Sequence, residues 1–121
     1  MSKKIRVLKV EPHKYPEEAF IENSLEGLQK AVGGLIEFVF LEEGASVLCN
    51  EEGKLIGLEG NRSLGEDILV GTFYVVGDND EGETVSLSDS LFEKYEKMFY
   101  EPENFTKEQI KDSILFRFFP M

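Results

Sequence analysis

Nine consecutive residues, Ile68 to Val76, read Ile-Leu-Val-Gly-Thr-Phe-Tyr-Val-Val. Alternating residues of a strand point to opposite faces, so a run this apolar is covered on both sides. The run therefore predicts a central strand of a sheet. Only Gly71, Thr72 and Tyr74 interrupt it, and Gly71 marks a bulge or the close approach of another segment. The rest of the chain has to supply flanking strands and covering layers.

It does so in short pieces. Ile5 to Val10 reads as an opening strand, with Ile5, Val7 and Lys9 on one side, and Ala19 to Glu22 as a second. Asn23 or Ser24 caps a helix whose apolar face is Leu25, Leu28 and Val32, and Gly33-Gly34 ends it. Leu35 to Leu41 is the next strand, largely apolar on both faces. Ser46 to Asn50 and Lys54 to Leu58 form a predicted hairpin around Glu51-Glu52-Gly53. A second helix starts near Ser86 or Ser88, with Leu91, Tyr95, Met98 and Phe99 as its stripe, and Thr106 caps a third containing Ile110. The ending, Ile114 to Phe119, is too apolar to dangle and is expected to dock as a strand or lie in a groove. The predicted class is α+β: a single domain over 1–121, with a mixed or mostly antiparallel sheet and two or three helices packed on one face.

The 121 residues include 41% apolar side chains and ten Phe, enough for a core without staples. One Cys cannot close an internal disulfide, which favours a reducing compartment. With no signal-peptide pattern and no long apolar window, the expected location is cytoplasmic, away from membranes. The net charge of −11 opposes direct binding to nucleic acid or to anionic lipid, because both need clustered Lys and Arg. The acidity either keeps the protein soluble or engages a basic partner by imitating nucleic acid.

Motifs with chemical content are few. Asp78, Asp80, Gly82 and Glu83 suggest a calcium loop, but Gly82 and Glu83 fall out of the required register. Cys49 lies in an apolar run and reads as a buried structural thiol. A Cys49/His13 dyad would need a tertiary coincidence and has no third group. No catalytic residue, metal ligand or cofactor is assigned. The best polar pair is Asn61-Arg62, in a predicted polar loop. Arg62 is the only Arg between Arg6 and Arg117. Its planar fork suits a carboxylate or phosphate, and Asn61 suits an amide or ribose edge. The bland alternative is a surface bridge to nearby carboxylates. In either role Arg62 is expected to be dispensable for stability. With Thr72 and Asn50, the pair makes up the candidate ligand set.

Several segments together carry a resemblance. They are Val10-Glu11-Pro12, the span Asn23 to Phe40, Cys49 to Leu55, Asn61-Arg62, Gly71-Thr72-Phe73, Val75-Val76-Gly77 and Ser86 to Asp89. As a set they resemble a family of small acidic proteins of unknown function encoded by phages, plasmids and integrative elements of Gram-positive bacteria. The resemblance runs as far as Phe99 and leaves the tail from Tyr100 outside. It implies a mobile-element setting, where such proteins counter host defence by sequestering a nucleotide signal or by occupying a defence protein. The expected function is therefore a non-catalytic accessory binding protein for a small nucleotide-like ligand. The alternative is an acidic inhibitor of a basic host protein, and a small hydrolase is the third reading. A homodimer is expected, with Phe116, Phe118 and Phe119 covered.

Overall fold

Strand alternation sorts the apolar residues of this chain into two separate cores, one on each face of a single sheet. The computed structural model describes residues 3–118, with side chains described as far as Ser113. The strands are β1 (Lys4–Val10), β2 (Glu17–Glu22), β3 (Ile36–Glu42), β4 (Ala45–Asn50), β5 (Gly60–Leu64), β6 (Asp67–Val70), β7 (Phe73–Asp78) and β8 (Thr84–Val85). The helices are α1 (Leu25–Val32), α2 (Asp89–Met98) and α3 (Lys107–Phe118). The large sheet runs β2-β1-β7-β4-β3, with β8 continuing beside β7, while β5 and β6 form a second, two-stranded sheet. Every pairing is antiparallel. The α+β class is as expected.

The expected central strand is two strands. The chain breaks at Gly71, whose φ of 70° is in the left-handed region. Its first part, β6, leaves for the small sheet, and its second part, β7, lies between β1 and β4. A Cβ on Gly71 would sit 2.7 Å from Leu58 Cδ1, so the close approach read from the glycine is real and comes from within the chain. The residues from Phe73 to Gly77 are buried on both faces.

The two faces are covered by different helices. Ile5, Val7, Leu48, Tyr74 and Val76 pack with Leu28 and Val32 of α1. Leu8, Val10, Val47, Phe73 and Val75 pack with Phe92 and Tyr95 of α2 and with Phe99 just after it. The expectation that the helices share one face is therefore corrected, for a physical reason. A strand apolar on both sides loses its burial free energy on whichever side is left open.

Local signals fix the helix ends. Ser24 Oγ accepts from Gly27 N at 3.0 Å, and Gly33 closes α1 with φ 77°. Thr106 and Gln109 exchange side chain–backbone bonds at the start of α3, a reciprocal cap. Other details differ from the pattern reading. Lys54 to Leu58 is turn, and β4 pairs with β3 and β7, so the predicted hairpin is absent. Leu25 and Met98 are exposed, and Phe92 takes the stripe position given to Met98. The backbone of 114–118 continues α3 as helix, not strand. The tail side chains lie outside the described residues, and with them the expectation that Phe116, Phe118 and Phe119 are covered. Among the described residues, no helix is long and apolar enough to cross a membrane.

Candidate functional site

The polar loop expected around Asn61 and Arg62 is strand β5, and both residues are 0% exposed. Arg62 directs its guanidinium at backbone oxygens. Nε donates to the Phe99 carbonyl at 2.9 Å and Nη2 to the Lys14 carbonyl at 2.6 Å. Nη1 donates to Asn61 Oδ1 at 2.7 Å. Asn61 Nδ2 in turn donates to the Val10 carbonyl at 2.9 Å and the Gly71 carbonyl at 2.8 Å. The pair thus ties together the end of β1, the loop after it, the β6–β7 kink and the C-terminus of α2. The positive charge at a helix C-terminus complements the helix dipole. Burial lowers the Arg62 pKa from its ordinary value, and Glu103 and Glu101 work against that shift. An arginine remains charged under such a shift, since its pKa starts far above neutrality. The expectation that Arg62 is dispensable for stability is therefore corrected. It had assumed an exposed fork, and the fork is buried and bonded.

The other expected residues lie elsewhere or serve the frame. Thr72 is half-buried at the kink, next in the chain to Gly71. Asn50 is buried at the end of β4, where Nδ2 donates to the Val32 carbonyl at 3.2 Å and Oδ1 accepts from Glu52 N at 2.8 Å. It closes the C-terminus of α1 and the turn that follows β4. Cys49 is buried inside β4, as expected of a structural thiol. His13 is in the loop after β1 and contacts Glu59 at 2.6 Å. The acidic loop is held by Asn79 from within and by the start of β4 through Asp78. Asp78 accepts from Gly44 N and Ser46 Oγ, and Asn79 Oδ1 accepts from the amides of Glu81 and Glu83. Among the described residues, no three His, Cys, Asp or Glu side chains come together to hold a metal.

Among the described residues, a concave feature lies beside α1, on the sheet face opposite α2. Helix α1 crosses the sheet close to the end of β2, where a Cβ on Gly27 would meet the Glu22 carbonyl oxygen at 2.4 Å. Only glycine lets the helix sit this close. Beside that contact is a cleft of about 470 Å³, lined by Lys4, Phe20, Ile21, Glu22, Gly27, Lys30, Ala31 and Tyr74. Its size is in the range of small-molecule sites. Two lysines against one glutamate leave the lining net positive, in a chain of net charge −11. Within the described residues neither Lys4 nor Lys30 has an ion-pair partner, whereas Lys9, Lys14, Lys54, Lys94 and Lys97 do. Tyr74 Oη donates to the Ala31 carbonyl at 3.3 Å, and burial raises its pKa, so the phenol is neutral near pH 7. Phe20 is 58% exposed. By strand alternation Lys4 and Phe20 point to the same face as Arg6, away from α1, so on the α1 side the cleft is walled by Ile21, Ala31 and Tyr74 and the cation it offers is Lys30. Sequence reading missed all of these residues. They come from β1, β2, α1 and β7, and no local pattern connects them; only the fold brings them together.

A model of the family described as Domain of unknown function (DUF3846) matches residues 5–100. The matched span runs from β1 through α2 and includes Asn61, Arg62 and most of the cleft lining. No curated protein and no solved structure matches the chain.

Proposed function

The chain belongs to the DUF3846 family, whose description names no function, so the reading rests on the site: we propose a non-catalytic binding protein for a small, anionic, nucleotide-like ligand. The observation that carries this is the cleft beside α1, where Lys30 stands over a wall of Ile21, Ala31 and Tyr74. Lys30 would take the phosphate, and the wall of Ile21, Ala31 and Tyr74 would lie against the base. Arg62 and Asn61 belong to the frame on this reading, because their donors already serve the backbone. A mobile-element origin, a cytoplasmic site of action and the sequestering of a host signal as counter-defence are parts of the same proposal. They draw on the segment resemblance and on the single thiol.

Calorimetry against mono-, di- and cyclic nucleotides tests it. One member of the panel should bind, and Lys30→Gln should weaken it at least tenfold, about 1.4 kcal/mol. Phe20→Ala, on the opposite face of β2, and Lys97→Gln, at the exposed end of α2, should not. If no nucleotide binds the parent protein, the reading fails and the acidic inhibitor of a basic protein takes its place.

A further inference from the structure

The two edges of the large sheet are built differently. The β2 edge follows Pro16 and carries Glu17, Glu18 and Glu22, which discourages pairing with another strand. The β3 edge has no Pro and carries Glu37 and Glu42, with a register irregularity between Phe40 and Glu42, and on its α1 side it exposes Phe38 by 44% and Phe40 by 72%. The backbone polarity of that edge can be read from its neighbour. The Leu35 carbonyl accepts from Glu51 N, so the odd-numbered residues of β3 bond inward to β4. Alternation then leaves the amides and carbonyls of Phe38 and Phe40 pointing outward from the sheet.

We propose that two copies of this chain pair β3 edge to edge, antiparallel, about a two-fold axis at Val39. In that register Phe38 lies opposite the partner's Phe40, Phe40 opposite the partner's Phe38, and Val39 opposite the partner's Val39. Four backbone hydrogen bonds form, and the four phenyl rings gather on one face, a favourable cross-strand pairing. Glu37 lies opposite the partner's Leu41, so no carboxylates oppose each other. An axis at Glu37 stacks that residue on its own copy, an axis at Phe40 sets Glu37 against the partner's Glu43, and an axis at Phe38 sets Phe40 against the partner's Ile36 and so separates the rings. The two sheets become one continuous sheet, and the cleft near β2, at the opposite edge, stays open in both copies. The occupant is therefore a second copy, which this self-complementary register fits, and the surface is independent of the ligand reading.

Sedimentation should show a dimer at micromolar concentration. Its dissociation constant should fall as salt screens the repulsion between two chains of net charge −11 each. Phe40→Glu should raise that constant at least a hundredfold with an unchanged circular dichroism spectrum, while Phe20→Glu on the β2 edge should leave it alone. In a Cys49→Ala background, Val39→Cys should form a disulfide-linked dimer on mild oxidation. Opposed residues at a non-hydrogen-bonded position come within roughly 4.5 Å between Cα atoms, which suits a disulfide. A parent protein that is monomeric at high micromolar concentration overturns the proposal. So does a dimer that persists in Phe40→Glu, or one in which Val39→Cys fails to cross-link.

Discussion

A single buried arginine shows how a sequence signal can be right about importance and wrong about its cause. Arg62 stands out as the lone guanidinium between Arg6 and Arg117, and it does hold an unusual position. Its donors, however, satisfy the carbonyls of Phe99 and Lys14 and the amide oxygen of Asn61. Removing it takes a donor from the buried Phe99 carbonyl and Asn61 Oδ1 and from the part-buried Lys14 carbonyl, and opens a cavity. Arg62→Ala should therefore cost about 3–5 kcal/mol, the scale of a broken buried polar network. Arg62→Lys should recover only part of the loss, because one ammonium cannot reach acceptors on three sides. Urea denaturation of both variants checks this. An Arg62→Ala variant that melts with the parent would mean that the bonded fork contributes nothing. Adjacent residues alone could not reveal the role, since Phe99 and Lys14 meet Arg62 only in the folded chain.

Elements with strong local signals were legible, and those set by tertiary packing were not. The caps at Ser24 and Thr106 and the stop at Gly33 follow from side-chain chemistry within a few residues. The break at Gly71 was visible as a glycine in a strand, but its consequence was not. The split sets Gly71 against Leu58, a neighbour that the local sequence does not reveal. Gly71→Ala should cost about 1–3 kcal/mol, from the positive φ and from contact with Leu58 Cδ1. Adding Leu58→Ala should then cost less than it does in the parent, because the contact has already been strained. Strictly additive losses in a double-mutant cycle would show that the glycine is required for its backbone angle alone. The sidedness of the helices was also legible in principle. The same two-faced apolar run that marked a central strand requires a cover on each side, and α1 and α2 supply one each.

At the scale of the whole molecule the protein is a sheet with two cores and two contrasting edges. A small second sheet is stapled on by Asn61 and Arg62. The acidic composition was legible at once; the cleft beside α1 was not, because Ile21, Lys30 and Tyr74 are apart in the chain. Arg62 belongs to the frame, β3 is the proposed edge of self-association, and the cleft beside α1 is the proposed place of ligand capture. Of these, ligand capture is central, and an amide-resolved titration tests it most directly. Isotope-labelled protein is titrated with the tightest-binding nucleotide of the panel while each backbone amide is followed by NMR. The account predicts shifts concentrated at Ile21, Gly27, Lys30, Ala31 and Tyr74, with Arg62 and the acidic loop of 78–83 unmoved. Shifts centred on Arg62 or on that loop, or none at millimolar nucleotide, would contradict it.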